Sequence, residues 1–499
     1  MKERKFKTKK SAPRKVKQPA RKKSIKPARR RKIKSQPLPP SYPRLHINRH
    51  SLTIAGILVL GIVSVTAWFI FLRHDQLRRE ALPEPTQPQL PTIYSEVEKD
   101  ILKQAEEKIE SERKKDLIIE DLRPGASYAV SMDQPSFPFG TAVNVDLMLG
   151  RTGKYCRRDD NSFETCPKDY RAGYNETLFR YFNAITPENS FKWEIVAEDG
   201  VPDWRTTDAA VRFLKKYPLV LKNFRGHSVF WNRRQRLPEF LRESSKEEVQ
   251  RVLVARRLLM IKRYPEIEEW DLVNEPLPGD EKIENGKNKN ELVFDPQEDL
   301  DFYAEFFKKA KKMNPDARLY VNEYSILSGK KTDQYIAFIK GLIERGAPVD
   351  GIGVQNHVAK GDLVSLEQAQ ENLAKLAALN LPIKITEFDV SDHVMGSEAA
   401  RAEYSKNMLT LFYGTPQVEG VYLWGFQDRT HWRGKEGAGL FNEDFTLNEA
   451  GKAYFDAIDD WQTKIEIVAD DEGLIRFRGY PGRYQITDQK TKKSHYLTL

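Results

Sequence analysis

The chain has 499 residues, 39% of them hydrophobic and 11% aromatic, with a formal net charge of +10. Residues 1–50 hold 20 Lys and Arg against one acid, Glu3, a net +19, so the other 449 residues sum to −9. The basic balance therefore belongs to a tail on a globular body, and two cysteines exclude a disulfide-rich scaffold or a four-cysteine zinc site.

Residues 1–50 read as a disordered cytoplasmic tail, because Lys, Arg, Pro and Ser offer too little apolar area to offset ordering entropy. A cationic run can also bind phosphates, but the next segment favours a topology-setting role. Residues 51–72 are 22 residues without a charge. As a helix they span ~33 Å, enough for a bilayer core. The Lys and Arg excess lies on the N-terminal side, which places that side in the cytoplasm and everything after residue 72 outside it. A cleaved signal peptide is the rival, but the run ends in WFIFL, with no small-residue cleavage site. The expectation is a single-pass membrane protein anchored through 51–72. Residues 73–117 follow as a linker, with four prolines within 81–92 and then a charged stretch, 95–117, carrying Val97, Ile101, Ala105 and Ile109. That spacing predicts a stalk helix or weak coiled coil.

From residue 137 onward one pattern repeats. Apolar runs at 139–145, 182–189, 221–231, 268–276, 317–325, 349–358, 382–390 and 420–428 each end in polar residues. Helical segments such as 246–263, 297–312, 332–345, 365–379 and 398–412 alternate with them. Continuous apolar strands alternating with amphipathic helices predict a parallel α/β sheet, and eight units predict a (β/α)8 TIM barrel. A doubly wound open sheet is the alternative, but no Gly-rich phosphate loop follows the first run.

In such a barrel the strand ends carry the chemistry. They supply Glu188, Asn189, His227, Trp231, Asn274, Glu275, Asn322, Glu323, Gln355, His357, Glu387, Asp389, Trp424 and Asp428. No Ser-His-Asp grouping or Cys nucleophile appears. A metal held by His227, His357 and Glu275 lacks the spacing of a known ligand motif, so no metal and no cofactor are expected. Carboxylates opposed across a mouth lined with tryptophan suit acetal cleavage, in which one is the acid and the other the nucleophile or base.

The motifs TPENSFKWE (186–194), RGHSVFW (225–231), WDLVNEPL (270–277), LYVNEY (319–324), DGIGVQNH (350–357), IKITEFDV (383–390) and LWGFQDRTHWR (423–433) resemble, in order, those of glycoside hydrolase family 10. That family consists mainly of retaining endo-β-1,4-xylanases. The resemblance implies Glu275 as acid/base and Glu387 as nucleophile. It also implies Glu188, Asn189, Lys192, His227, Trp231, Asn274, Gln355, His357, Trp424 and Trp432 as the substrate-binding wall, with Asp389 pairing with His357 behind the nucleophile. It further implies xylan or a related β-1,4-glycan as partner and no nucleic acid for the catalytic domain; a monomer is expected. A β-glycanase of other backbone specificity and an inactive polysaccharide-binding protein at the cell surface are the alternatives.

The chain departs from the family where WNRRQRLPEF (231–240) stands for a usual WHSQLPSW, and where Asn322-Glu323-Tyr324-Ser325 stands for NDYN. Cys156 and Cys166 lie in an extended loop after the first strand; outside the cytoplasm they can pair, with two free thiols as the alternative. The expected catalytic domain is 118–463. Residues 464–499 read as a small β-segment of period-two strands, either packed on the barrel or binding carbohydrate.

Overall fold

The eight apolar runs form eight parallel strands: β1 Phe139–Val143, β2 Ala184–Pro187, β3 Arg225–Gly226, β4 Glu269–Asn274, β5 Arg318–Glu323, β6 Gly351–Val354, β7 Ile383–Val390 and β8 Val418–Leu423. Their order in the sheet is β2-β1-β8-β7-β6-β5-β4-β3, and a parallel bridge between Ile185 and Phe224 brings the two ends together. This is the expected (β/α)8 arrangement. β4 and β7 are buried at every position, as strands covered on both faces must be. The computed structural model describes residues 95–158, 162–196, 203–280, 282–284, 287–358 and 363–499. The basic tail, the 51–72 span and the 81–92 linker lie outside the described residues. No helix among the described residues is long and apolar enough to cross a membrane.

The longer helices are α1 Glu96–Lys108, α2 Lys168–Tyr181, α3 Arg205–Leu214, α4 Lys246–Val252, α5 Leu300–Met313, α6 Thr332–Glu344, α7 Leu366–Ala377, α8 Glu398–Gly414 and α9 Glu449–Asp460. Side-chain caps start several of them: Ser365 accepts from Gln368 N, Ser397 from Ala400 N and Asn448 from Gly451 N. The segment expected as one helix over 246–263 carries a π-helical turn at Leu253–Arg257. That turn delivers Arg257 inward, where its guanidinium donates to the carbonyls of Val229 (2.7 Å) and Ser228 (2.6 Å), directly after His227.

One expectation is corrected. The stretch 95–117 is not a free stalk. Helix α1 opens with a capping box between Ser95 and Glu98 and buries Ile101, Ala105 and Ile109 against the barrel's outer ring. A Cβ at Gly414 in α8 would lie 2.7 Å from Ala105 Cα, so only glycine allows this approach. Glu98 Oε1 accepts from Leu366 N, the first turn of α7, and Arg113 donates to the carbonyls of Tyr413, Thr415 and Val418.

Residues 464–499 form the expected small β-segment, packed on the body of the protein. Lys464–Val468, Gly482–Asp488 and Ser494–Thr498 join Ser127–Pro135 in one antiparallel sheet, and Ile475–Gly479 pairs with Lys115–Ile119. The chain ahead of the barrel and the chain behind it are thus laced together. The alternation within each strand predicts its faces but not a partner several hundred residues away.

Cys156 and Cys166 are disulfide-bonded, closing the hairpin Lys154–Arg157/Phe163–Thr165 with their Cα atoms 5.1 Å apart.

Candidate active site

Two strand extensions prepare the site. Phe230–Trp231 pairs with β4 so that Trp231 lies opposite Asn274, and His357–Val358 pairs with β7 so that His357 lies opposite Asp389. Glu387 sits near the end of β7, 4% exposed. Its Oε1 accepts from Asn322 Nδ2 at 2.8 Å, and its Oε2 lies 3.1 Å from His357 Nε2. The other ring nitrogen of His357 lies 2.9 Å from Asp389 Oδ2. Burial opposes charge on His357, but Asp389 and Glu387 on either side raise its pKa to about 10. The ring is therefore an imidazolium that donates from both nitrogens.

Asp389 also accepts from Trp432 Nε1 (2.7 Å) and Arg433 Nη1 (2.8 Å). Burial works against its ionisation, yet His357, and after it Arg433, hold the carboxyl down at about 2. His431, adjacent in sequence, is pushed down to about 4 by burial, so it carries no charge at neutral pH.

Glu275 follows β4 in the left-handed region, with φ of +51°, and its N–H donates to Asn322 O at 2.8 Å. A non-glycine residue held there marks a constrained backbone. The side-chain contacts of Glu275 are longer than those of Glu387. Gln355 Nε2 lies 3.3 Å and Asn274 Nδ2 3.5 Å from Oε1, and Arg233 Nη2 lies 3.5 Å from Oε2.

An amide relay joins the two carboxylates. Asn322 Nδ2 donates to both Glu387 and Asn274 Oδ1 (2.9 Å), Gln355 Nε2 lies 3.4 Å from the same Asn274 oxygen, and Thr386 Oγ1 donates to Asn322 Oδ1 (2.7 Å).

The remaining predicted residues converge on the same mouth. Lys192 Nζ lies 5.0 Å from the Trp231 ring centre and 5.8 Å from that of Trp424, and donates to Asn189 Oδ1 at 3.0 Å. Burial pulls its pKa down despite Glu188 and Glu387, and pushes that of Glu188 up despite Lys192. His227 packs edge-on to Trp424 at 5.0 Å and is held through Nδ1 by Asp271, which also pairs with Arg225. Trp424 is 7% exposed and Trp432 47%, so one indole forms floor and the other rim.

Sequence reasoning named Asn322 and Glu323 as strand-end residues without giving either a place in the site. Asn322 holds the position on β5 that Asn274 holds on β4, as the β4–β5 register shows. Arg233, Arg433 and Asp271 have no place in the sequence reading, because each acts through a contact that its local pattern does not show. Among the described residues no group of His, Cys, Asp and Glu is arranged to hold a metal ion.

Comparison with known proteins agrees with this fold. The family description Glycosyl hydrolase family 10 matches residues 158–457. Anti-sigma-I factor RsgI6 of Acetivibrio thermocellus is 30% identical over 329 residues, covering 66% of this chain and 40% of that protein. Endo-1,4-beta-xylanase 2 of Arabidopsis thaliana is 29% identical over 327 residues, covering 62% and 28%. This chain thus spans less than half the length of either curated relative. The crystal structure of xylanase 10B from Thermotoga petrophila in complex with xylobiose superposes with a TM-score of 0.53 at 26% identity, covering 65% of this chain and 94% of that one. With the family description matching well over half of its length, this chain belongs to glycosyl hydrolase family 10.

Proposed function

We propose that this chain is an endo-acting glycosidase that cleaves β-1,4-xylosidic bonds in xylan with retention of configuration. The observation that carries the reading is the contrast between two linked carboxylates. Glu387 is held by an amide and an imidazolium, while Glu275 is held loosely at the mouth. In the first step Glu387 attacks the anomeric carbon as Glu275 gives its proton to the departing glycosidic oxygen. In the second, Glu275 as a carboxylate takes a proton from water, which attacks the same carbon and releases Glu387. The His357 imidazolium, neutralised by Asp389, keeps its donor on Glu387 throughout. Asn274, with its amide oriented by Asn322 and Gln355, contacts the sugar beside the reacting carbon. Lys192, His227 and the indoles of Trp231, Trp424 and Trp432 form the wall on which sugar rings stack.

The solved relative named as a xylanase in complex with xylobiose supports xylan as the backbone. A second reading is polysaccharide binding without turnover in a signalling protein, and similarity to a protein named as an anti-sigma factor favours it. Product analysis on xylan, mixed-linkage glucan and carboxymethyl cellulose separates these. Xylo-oligosaccharides from xylan alone are expected; binding to xylan without products selects the second reading, and products chiefly from either glucan select another backbone.

Anchoring through 51–72 with the barrel outside the cytoplasm is part of the proposal. Protease on intact cells should cut within 81–92 and release an active fragment that retains α1. Release of the basic tail instead would reverse the orientation.

A further inference from the structure

The loop that departs most from the family places a buried cation against Glu275. Asn232 N donates to Asn274 O (3.0 Å), so the chain after β3 runs beside the end of β4. Arg233, 2% exposed, then turns inward. Its Nη1 donates to the carbonyls of Asn232 (3.0 Å) and Glu275 (2.6 Å), and its Nη2 to the carbonyl of Leu277 (3.0 Å). The same Nη2 lies 3.5 Å from Glu275 Oε2. Three main-chain carbonyls hold the guanidinium whether or not Glu275 is protonated, and a guanidinium does not lose its own charge.

From the opposite side the buried Glu323 accepts from Leu277 N (2.9 Å), Tyr324 N (3.0 Å) and Lys331 Nζ (3.0 Å). The turn that carries Glu275 is therefore clamped between an arginine on its carbonyls and a carboxylate on its amide. The charged groups around Glu275 are Arg233 from the loop after β3, Glu323 from β5 with Lys331 behind it, and Glu387 with His357 across the amide relay. Gln355 and Asn274 are neutral.

We propose that Arg233 is a positioning residue: a fixed counter-ion that holds Glu275 as the carboxylate required in the second, base-catalysed half of turnover, with Glu323 opposing it. This rests on the glycosidase reading above. A cation beside a carboxyl group favours its charged form and a neighbouring anion disfavours it. Arg233 thus favours the charged state of Glu275 that deglycosylation needs and opposes the neutral state that glycosylation needs. A residue acting only as scaffold would leave the pH range alone.

The test compares pH profiles of kcat/KM for the full chain and for Arg233→Met, Arg233→Lys and Glu323→Gln. Substrates are xylan and an aryl β-xylobioside whose leaving group departs without protonation. On xylan, Arg233→Met should raise the ratio of kcat/KM at pH 8 to that at pH 5 on the order of tenfold, the effect of removing one adjacent opposite charge. Arg233→Lys should keep the parent profile, and Glu323→Gln should shift the ratio the other way. On the aryl substrate the Arg233→Met profile of kcat/KM, which reads glycosylation alone, should follow the parent, whereas kcat, limited by deglycosylation, should fall at pH 5 relative to the parent.

Parallel losses at every pH, or shifts of the same sign for Arg233→Met and Glu323→Gln, would overturn the proposal. Should the methionine variant not fold, an alkaline limb that fails to retreat in Glu323→Gln would overturn it as well. A parent chain that turns over xylan while the limbs stay put removes only this inference; a parent that turns over nothing removes the glycosidase reading and this inference together.

Discussion

The ends of β4 and β7 present the same functional group in opposite settings. At β7, Glu387 has 5% of its side chain exposed, with one oxygen on an amide at 2.8 Å and the other on an imidazolium at 3.1 Å. At β4, Glu275 has 14% of its side chain exposed, and its polar neighbours lie between 3.3 and 3.5 Å. Short bonds to an amide and to an imidazolium suit a group that must remain an anion and hit one carbon. Longer contacts at a mouth suit a group that must gain and lose a proton and follow a leaving group. The difference teaches that roles are assigned by what surrounds each carboxylate, since the two residues are chemically identical.

The largest expected effect breaks the β7 side. Glu387→Ala should lower kcat on xylan by a factor on the order of 10⁴ or more, as removal of a nucleophile does elsewhere. Added azide or formate should restore part of the rate and give product of inverted configuration, because a small anion attacks from the vacated face. Near-normal activity without rescue would remove Glu387 from its role.

Breaking the β4 side should cost less and depend on the substrate. Glu275→Ala should slow xylan hydrolysis by about 10²–10⁴, the range of general acid–base catalysis. Glycosylation by an aryl glycoside with a good leaving group should be largely spared. Equal losses on both substrates would mean that Glu275 is not the acid.

The smallest effect sharpens the contrast through stability. His357 is raised from 6.5 to about 10, so its contribution is complete below pH 6.5 and disappears as pH rises through 10. Asp389 is depressed from 3.8 to about 2, so its contribution is present above pH 3.8 and disappears as pH falls through 2. Thermal melts between pH 7 and pH 10 should show Tm falling in the parent and a flatter line in His357→Gln. Identical slopes would contradict the charged imidazolium.

The barrel was legible because each strand is a short apolar run ending in polar residues, and the helices between them keep a helical period. The site was legible because both carboxylates and most wall residues sit at those strand ends. Arg233 was not, because its role depends on where a departing loop folds, and only the turn 275–277 shows what the guanidinium meets. Arg433 was hidden for a related reason: it reaches Asp389 from the loop after β8, a contact no local pattern encodes. The apolar stripe of α1 was visible, but a stripe of Ile101, Ala105 and Ile109 does not say whether its partner is a second helix or the protein's own barrel.

The central claim is that Glu387 forms the bond to sugar while Glu275 only moves protons. The most direct test treats the protein with an activated 2-deoxy-2-fluoro-β-xylobioside, which slows release of any glycosyl-enzyme, followed by mass spectrometry of the intact chain and its peptides. One added 2-fluoroxylobiosyl group, on the peptide containing Glu387 and at that residue, is the predicted result. A label on Glu275, or unlabelled protein that continues to turn over xylan to α-configured product, would contradict it.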